Sequence, residues 1–380
     1  MEIGIPAEAE SGETRVALVP AEARLLVDQG HTVAVQRGAG VAAGHADRAF
    51  EAAGARLVER PDAFGQPLVL QVRSAGEDTF GQFAPGALSV GMADPLGIPS
   101  RVSELAQAGV TAFALEFIPR IARAQGMDVL SSQSSIAGHR AVLIAAEHAA
   151  EVLPMMITAA GTLPQGRVLV LGAGVAGLQA IATARRLGAK VRAYDVRPAV
   201  AEQVRSVGGE FLDLGLDTSA AEGVSGYAQA LGERFYIQQR AVLAEAVAGS
   251  DVVIATAQVQ GTRAPILITE EMVLSMQPGS VIVDAAAAQG GNCAVSRPNE
   301  ILQISGVTVL APTNLPAGAP GAASRLYARN IANFVRHLVR NGTPQLDGDD
   351  QIVAATLLTR DGTVVHPRLR EVLGLVPAPA

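Results

Sequence analysis

Three glycines, Gly172, Gly174 and Gly177, follow the short apolar run 168–171 with the spacing G-x-G-x-x-G. In a dinucleotide-binding turn the first glycine permits a tight bend, the second lets a pyrophosphate approach the backbone, and the third lets a helix pack closely on its strand. A helix is predicted over 178–187, and the N-terminus of such a helix offers free N–H groups and a partial positive charge. Strand, glycines and helix in this order predict a dinucleotide site, although the glycines alone are also compatible with a structural turn.

An acidic residue stands where such a site needs a carboxylate for the ribose. The run 191–194 predicts the next strand, and Asp195 follows at its carboxyl end. A carboxylate there accepts hydrogen bonds from the ribose hydroxyls of NAD and repels the 2′-phosphate of NADP. Arg197 could hold such a phosphate, but it lies beyond the strand end, so we expect NAD. The candidate cofactor-binding residues of this region are Gly172, Gly174, Val175, Ala176, Gly177, Asp195, Val196 and Arg197.

A polar stretch, 116–135, precedes a long helix predicted over 135–152. One interpretation is a domain linker with ordinary hydrogen bonds, in which the serines cap the helix. The other places Arg120, Gln125 and Asp128 in an interdomain cleft, facing the nicotinamide end of the dinucleotide. The residue types leave both interpretations open.

Two further loops are candidates for contact with a cofactor. Small residues and Gln289-Gly-Gly-Asn292 follow the predicted strand 281–284, and open α/β sheets bind ligands at such carboxyl ends. Asn292 is therefore a candidate cofactor-binding residue. The small, polar segment 213–226, followed by Tyr227, is either a mobile loop near the cofactor or an exposed insertion.

Strands alternate with helices along the chain, which predicts parallel α/β sheets. The segment 38–44 superficially repeats the glycine fingerprint, but polar His45 and Asp47 follow where an apolar helix is required, so we expect no phosphate site there. The helix 324–339 predicts a return of the chain to the first domain. The predicted fold class is α/β, with two Rossmann-like doubly wound parallel-sheet domains and an interdomain cleft. The predicted domains are 1–130 plus 320–380, an N-terminal Rossmann-like domain closed by the C-terminal segment, and 131–319, an NAD(H)-binding Rossmann domain.

The elements of these domains follow from the apolar runs and from the glycines and prolines that interrupt them. The predicted strands are 2–6, 32–36, 68–72, 87–91, 110–114, 168–171, 191–194, 210–212, 251–256, 281–284 and, as the last, 307–310. The predicted helices are 21–29, 46–53, 100–108, 135–152, 178–187, 199–207, 235–248, 270–276 and 324–339. A hairpin is also predicted between 352–358 and 363–365, around Asp361-Gly362.

The composition limits the classes of function. The 380 residues are 49% apolar, enough for two cores, and a net charge of −7 argues against a nucleic-acid surface. The single cysteine, Cys293, excludes an intrachain disulfide and indicates a cytosolic protein. Apolar runs are too interrupted to span a membrane, a strand beginning near Met1 argues against a signal peptide, and the six histidines lack metal-ligand spacing.

Five stretches closely resemble the NAD(H)-binding component, domain I, of proton-translocating NAD(P) transhydrogenase, whose wider family includes alanine dehydrogenase. They are 120–134, 155–161, 172–184, 195–197 and 290–293, and the resemblance covers nearly the whole chain. The first and third are far more specific than a bare glycine fingerprint. Because the sequence ends without membrane helices, it is similar to the separate α1 subunit of the split-subunit form.

This resemblance implies a homodimer of two-domain protomers that binds NADH or NAD⁺ in the cleft. It implies a Si/Re-specific enzyme that exchanges a hydride with NADP(H) held by the β subunit. The membrane components, the α2 and β subunits, would couple that transfer to proton translocation. The chain is then expected in the cytoplasm, peripheral to the inner or plasma membrane through its partners and not itself inserted.

The family's catalytic loop matches Arg120, Gln125 and Asp128, with Ser131 nearby. The resemblance implies that the arginine contacts the carboxamide and that the aspartate orients the arginine. The glutamine is expected to span the nicotinamide ribose toward the second nucleotide. The family's mobile-loop tyrosine matches Tyr227.

The two branches of the family differ in whether their reaction requires the transfer of a proton. Hydride transfer between two nicotinamides moves no proton and needs rings held about 3–3.5 Å apart. Alanine dehydrogenase must move protons and uses a lysine, a histidine and an aspartate. By ungapped matching, this chain has Gln71 at the lysine position, Gly91 near the histidine position and Ala288 at the aspartate position. The only lysine, Lys190, is expected far from the reacting end. Arg15, the substrate-carboxylate ligand of alanine dehydrogenase, occurs in both branches.

Two alternatives stay open beside the transhydrogenase subunit: an amino-acid dehydrogenase and a non-catalytic NAD-binding module. Ala288 also replaces a carboxylate that is expected in many transhydrogenases. Transhydrogenation needs two dinucleotides, and the sequence has one credible fingerprint, so the second nucleotide must arrive on a partner.

Overall fold

The computed structural model describes residues 1–73, 77–215, 233–258, 261–346 and 348–375. It divides into two compact units, Met1–Gln133 with Ala317–Ala380, and Ser134–Pro316. Each unit contains one open sheet of mainly parallel strands joined by helices. This arrangement confirms the predicted α/β class with two doubly wound sheets.

The sheet of the first unit has six strands, all parallel, in the order β3-β2-β1-β4-β5-β6. Its elements are β1 (Glu2–Ile5), α1 (Pro20–Asp28), β2 (Thr32–Gln36), α2 (Asp47–Ala52), β3 (Arg56–Val58), α3 (Arg60–Phe64), β4 (Leu68–Arg73), α4 (Glu77–Phe80), β5 (Leu88–Met92), α5 (Pro99–Gln107) and β6 (Thr111–Ala114).

The second unit has a seven-stranded sheet in the order β11-β10-β9-β12-β13-β15-β14, with only the edge strand β14 antiparallel among the strands described. Strands β7 and β8 form a separate antiparallel hairpin. The elements are α6 (Val129–His148), which enters this unit at residue 134, β7 (Met156–Thr158), β8 (Gly161–Leu163), β9 (Arg167–Leu171), α7 (Val175–Arg186), β10 (Lys190–Tyr194), α8 (Ala201–Ser206), β11 (Glu210–Phe211), α9 (Glu233–Ala248), β12 (Val252–Ala255), α10 (Glu270–Ser275), β13 (Val281–Asp284), β14 (Ile301–Ile304) and β15 (Val307–Leu310).

The C-terminal segment returns to the first unit. Its elements are α11 (Pro320–Leu338), β16 (Val339–Arg340), β17 (Thr343–Pro344), α12 (Gln351–Thr356), β18 (Thr359–Arg360), β19 (Thr363–Val364) and α13 (Pro367–Val372). The apolar face of α11 packs into the core of this unit through buried residues such as Tyr327, Ile331 and Phe334.

Both faces of each sheet are covered by apolar side chains. In β4, Leu68 and Leu70 join one core cluster, whereas Val69 between them joins the cluster on the other face. In β9, Val168 and Val170 likewise alternate with Leu169. Parallel strands buried on both faces are nearly continuous apolar runs, which is why the sequence revealed them.

Several predicted helices have different limits in the structure, and α6 and α7 are the two that bear on the site. The helix predicted over 135–152 is α6, and it begins at Val129 because the Asp128 carboxylate accepts the backbone N–H of Ser131 and caps the first turn. It ends at His148, and the N–H of Ala150 bonds to the Gly279 carbonyl instead of continuing the helix. Helix α7 begins at Val175, not at residue 178, because the extended Gly174 is its N-cap.

The prediction of a strand over 352–358 is wrong, because most of this run is helix α12. The Asp350 side chain caps that helix by accepting the N–H groups of Ile352 and Val353 at 2.8 and 3.2 Å. The β-branched side chains favoured a strand, and the cap overrides that preference. The turn at Asp361-Gly362 is real, but it joins only the two-residue strands β18 and β19.

Outside the C-terminal segment, four of the described strands, β3, β7, β8 and β14, were not predicted. These strands are short and carry exposed residues, so they lack the long apolar signal of the central strands. The glycine-rich segment 38–44, which superficially resembles the fingerprint, contains a 3₁₀ turn, Val41–Ala43, where a phosphate turn would open a helix. There Gly40 is needed for packing, because a Cβ would lie 2.6 Å from Cε2 of Phe50.

Candidate functional site

The glycine turn between β9 and α7 is built by two backbone constraints. Gly172 has a φ of +93°, and a Cβ on it would lie 2.9 Å from the backbone nitrogen of Ala257. A Cβ on Gly177 would lie 1.8 Å from the carbonyl oxygen of Gly172. Both positions therefore exclude any side chain, and the first turn of α7 is held directly against the end of β9.

Gly174 differs from Gly172 and Gly177 because no described part of the protein requires a glycine there. A Cβ on it would meet no heavy atom of the described residues within 4 Å, and its φ of −74° is open to any residue. Gly174 and Val175 are exposed, Ala176 is half-buried, and α7 has no side-chain cap among the described residues. The open space and the uncapped N–H groups fit a pyrophosphate, which an added side chain would obstruct.

Asp195 is bonded to the turn on one side and to Arg197 on the other. Its Oδ2 accepts the backbone N–H of Ala173 at 2.7 Å and Nη2 of Arg197 at 2.8 Å. Its Oδ1 accepts the backbone N–H and Nε of Arg197, each at 2.9 Å. A carboxylate offers about four acceptor positions, and these four bonds occupy them all. A ribose hydroxyl that binds Asp195 must therefore share the carboxylate with Arg197 or displace the Arg197 side chain. Val196 between them is half-buried against the core beneath β10.

Asn292 is fully buried, and its side chain bonds to backbone groups. Its Nδ2 donates to the carbonyls of Ala257 and Pro265 at 2.9 and 2.8 Å, and its Oδ1 accepts the Ala257 N–H at 3.0 Å. Ala257 is the residue against which Gly172 packs. Asn292 thus supports the glycine turn through Ala257, and its direct contact with a cofactor stays a prediction.

Asp284, at the end of β13, was not singled out by the sequence. It is fully buried and accepts the backbone N–H groups of Ala286, Asn292 and Cys293 at 2.9 to 3.1 Å. It folds the 285–292 loop back on itself and so places Asn292. The available signal was a single acid at the end of an apolar strand, followed by a Gly-Gly turn.

In the first unit, the stretch predicted as a linker or catalytic loop is ordered. It contains a 3₁₀ segment, Ala122–Met127, and the start of α6. Arg120 and Gln125 are exposed. Asp128 caps α6: its Oδ1 accepts the N–H of Ser131 at 2.9 Å and its Oδ2 accepts the hydroxyl of Ser131 at 2.5 Å. The structure thus brings Asp128 and Ser131 together, and the orientation of Arg120 by Asp128 stays a prediction.

Arg15 lies in a buried polar network at the carboxyl edge of the first sheet. It is 3% exposed, and its Nε and Nη2 donate to the Glu13 carboxylate at 2.7 and 2.6 Å. Its Nη1 donates to Oε1 of Gln133 at 2.8 Å. The guanidinium is therefore engaged by the protein's own carboxylate, in the way that it would engage the carboxylate of a bound molecule.

Two further carboxyl groups in this network were also missed by the sequence. Burial raises the pKa of Glu8 to about 8, against the lowering effect of the N–H bonds from Val72 and Arg73. Burial raises the pKa of Glu116 to about 7, and the Asp94 N–H bonds to its Oε1 at 2.7 Å. Both residues follow strand ends and are half-buried, and a short polar segment gives no signal of this in the sequence.

The three residues that ungapped matching placed at or near the proton-transfer positions of alanine dehydrogenase carry no proton-transfer group. Gln71 is buried, and Ala288 is exposed. A Cβ on Gly91 would lie 2.8 Å from the carbonyl oxygen of Gln71, so this backbone leaves no room for a histidine. Lys190 opens β10 at the end opposite Asp195, roughly 16 Å away along the strand.

The remaining candidates carry less information. Tyr227 lies outside the described residues. Cys293 is buried, and burial raises the pKa of its thiol to about 11, so it is a thiol at neutral pH. In the described part of the chain, no helix is long and apolar enough to cross a membrane. No group of three or more potential metal-binding side chains was found among those residues.

Comparison with known proteins gives consistent matches along the chain. The family described as alanine dehydrogenase/PNT matches residues 4–137 with its N-terminal domain and residues 141–367 with its C-terminal domain. A protein of Rhodospirillum rubrum, named as the first portion of the NAD(P) transhydrogenase alpha subunit, is 44% identical over 379 residues, which cover 97% of this chain and 99% of that protein.

Solved structures of both branches of this family are similar to the chain. The structure of a transhydrogenase from Sinorhizobium meliloti is 40% identical, with a TM-score of 0.85 and coverage of 97% of this chain and 100% of the other. An L-alanine dehydrogenase is 28% identical, with a TM-score of 0.83 and coverage of 98% and 99%.

Proposed function

We propose, given that the chain belongs to the alanine dehydrogenase/PNT family, that it is the NAD(H)-binding subunit of a proton-translocating NAD(P) transhydrogenase. In this role it binds NADH or NAD⁺ and exchanges a hydride directly with NADP(H) held by a partner β subunit. Membrane subunits couple this exchange to proton movement. The relative from Rhodospirillum rubrum is named as the first part of an NAD(P) transhydrogenase alpha subunit.

The glycine turn supports the nucleotide-binding half of this proposal. Gly172 and Gly177 are fixed by protein packing, whereas the space beside Gly174 is open and lies at an uncapped helix start. These residues fit the pyrophosphate, and Asp195 beside them fits the ribose of NAD. Val175, Ala176, Val196 and Arg197 complete the proposed nucleotide-binding residues.

The observation that carries the choice of reaction is the lack of space at Gly91. A histidine there would collide with the Gln71 carbonyl, and residue 71 is itself a glutamine where alanine dehydrogenase has a lysine. Oxidation of an amino acid must move protons through such groups. Hydride exchange between two nicotinamides requires positioning only, so it is compatible with this site.

The positioning is assigned to the segment after β6. Arg120 is proposed to contact the carboxamide, Asp128 with Ser131 to fix the loop, and Gln125 to reach the nicotinamide ribose. The exposure of Arg120 and Gln125 and the capping bonds of Asp128 are consistent with these roles. Tyr227 is proposed to cover the bound nucleotide.

A homodimer is included in the same proposal, and the β7–β8 hairpin is its candidate contact. Ile157 is 79% exposed, and Met155, Met156 and Leu163 are exposed beside it. A hairpin that presents several large apolar side chains to solvent is typical of a protein–protein contact. The partner that we assign to this hairpin is a second copy of the same chain.

A reconstituted assay tests the function. The chain, mixed with the NADP(H)-binding partner subunit, should transfer a hydride from NADH to an NADP⁺ analogue whose reduced form absorbs apart from NADH. The chain alone should bind NADH and should not reduce NAD⁺ with alanine. Alanine-dependent reduction would instead identify an amino-acid dehydrogenase. NADH binding without transfer, at saturating partner, would identify a non-catalytic module.

A further inference from the structure

The 3₁₀ segment that carries Gln125 is anchored on its inner side and open on its outer side. Ala124 and Met127 are buried in the core of the first unit, whereas Gln125 and Gly126 between them are exposed. At the end of so short a helix the last carbonyl groups have no partner within the helix. The carbonyl of Gly126, the residue after Gln125, is one of these.

Two asparagines of α11 supply the missing donors. Nδ2 of Asn330 and Nδ2 of Asn333 each lie 2.8 Å from the carbonyl oxygen of Gly126. Residues three apart on a helix lie on one face, so both amides reach the same oxygen. A carbonyl oxygen has two lone pairs, and this one accepts a hydrogen bond to each.

Each asparagine is itself oriented by a further donor. The hydroxyl of Ser132, in the first turn of α6, donates to Oδ1 of Asn330 at 2.7 Å. Nη1 of Arg336 donates to Oδ1 of Asn333 at 3.1 Å. Because the Oδ1 atoms accept these bonds, the Nδ2 atoms of both amides are turned toward Gly126.

The glycine at position 126 is explained by the same contact. A Cβ there would lie 3.0 Å from Nδ2 of Asn333, a distance at which the amide must give way. The φ of Gly126 is not in the left-handed region, so backbone conformation does not require a glycine. The approach of the Asn333 amide does.

We propose that Asn330 and Asn333 are positioning residues for hydride transfer, which act by fixing the Gly126 peptide and through it the direction of the Gln125 side chain. This inference rests on the proposed function, in which Gln125 reaches the nicotinamide ribose. Transfer between two rings is sensitive to small displacements, and a 1 Å misplacement costs about a hundredfold in rate. The two amides hold the backbone next to Gln125 without touching the nucleotide.

The isosteric change Asn333→Asp tests the proposal, because it keeps the side-chain shape and replaces the donor by an acceptor that repels the Gly126 carbonyl. With the full chain and saturating partner subunit, we expect hydride transfer to slow by about tenfold. The NADH dissociation constant should stay within about twofold, since the amide is assigned no nucleotide contact. The double variant N330D/N333D should slow transfer further, at similar NADH affinity.

Two other variants separate this role from a merely structural one. Asn341→Asp makes the same chemical change in the exposed turn between β16 and β17 and should leave the transfer rate unchanged. Gly126→Ala should reduce the rate through the displaced Asn333 amide, with a smaller effect in the N333D background. Melting temperatures of all variants report on the fold.

Unchanged rates in N333D and in the double variant would overturn the inference. So would a loss of rate that is matched by an equal loss of NADH affinity or by unfolding at the assay temperature. Failure of the unaltered chain to transfer a hydride would instead remove the proposed function, and the inference with it.

Discussion

The guanidinium of Arg197 holds the carboxylate of Asp195 through two side-chain bonds, Nη2 to Oδ2 at 2.8 Å and Nε to Oδ1 at 2.9 Å. The pair lies at the end of β10, next to the glycine turn, and the side chain of Asp195 is only 5% exposed and that of Arg197 only 14%. The sequence suggested opposite preferences for these residues, a carboxylate that selects NAD and an arginine that tolerates NADP. In the structure they form one charge-balanced unit.

This pairing predicts that Arg197 moderates the selectivity of Asp195. Arg197→Ala should leave an unbalanced carboxylate and raise the preference for NADH over NADPH by about tenfold, the worth of one charged hydrogen bond. Asp195→Ala should weaken NADH binding and reduce the preference for NADH over NADPH. Fluorescence titration with both nucleotides measures the two dissociation constants. Arg205→Ala, at an exposed site on α8, is the control. An identical preference in all variants would place the selectivity elsewhere.

Gly174 and Gly177 should respond oppositely to alanine. Gly177→Ala brings a methyl group to within 1.8 Å of the Gly172 carbonyl and should destabilise the fold by about 1–3 kcal/mol or more. Gly174→Ala meets no described protein atom, so it should keep the melting temperature and weaken NADH binding. Thermal unfolding and NADH titration of the two variants distinguish these effects. Full NADH affinity in Gly174→Ala would argue against a pyrophosphate at this turn.

Gln125→Asn should slow hydride transfer more than it weakens NADH binding. The shorter side chain keeps the amide but withdraws it from the ribose, so a positioning contact is lost while the nucleotide-binding turn is untouched. Single-turnover transfer and NADH titration separate the two quantities. Gln345→Asn, at an exposed site after β17, is the matched control. An unaltered transfer rate would remove the role assigned to Gln125.

Glu116 should make the protein less stable as the pH rises through neutrality. Burial raises its pKa from 4.5 to about 7, Asp94 adds to this and Arg73 opposes it. Between these values the folded chain holds a proton that the unfolded chain has released, so this contribution to stability is full below pH 4.5 and lost by about pH 7. Glu116→Gln keeps the Asp94 bond and should flatten that decline. Urea unfolding from pH 5 to 8 measures the free energy of unfolding of the unaltered chain and of Glu116→Gln. Parallel plots of that free energy against pH for the two proteins would contradict the prediction.

Ile157→Asp should dissociate the proposed homodimer. The side chain is 79% exposed on the β7–β8 hairpin, so the change is tolerated by the monomer but leaves an unpaired charge in an apolar contact. Light scattering after gel filtration measures the mass. Ile301→Asp, on the exposed edge strand β14 at 60% exposure, is the control. A dimer retained by Ile157→Asp would exclude the hairpin as the contact.

The sequence by itself determined the features that depend on neighbouring residues. The central parallel strands are continuous apolar runs, and the turn at 172–177 needs its glycines at fixed spacing, so both can be identified from the local sequence. The stretch from Arg120 to Ser131 and the single lysine were identified in the same way. Short or exposed elements such as β14, and the capped helix α12, were missed because a capping side chain or a neighbouring strand decided them.

Only the tertiary structure decided the contacts between residues that are distant in the chain. It set Asn292 against Ala257, closed Gly91 to any side chain, and brought Asn330 and Asn333 to the Gly126 carbonyl. Residue types name the chemistry that is available, but burial and the approach of another segment decide which donors are used by the protein itself. The strand order within each sheet brings together segments that are distant in the chain, and this is the physical reason that such contacts are absent from any local pattern.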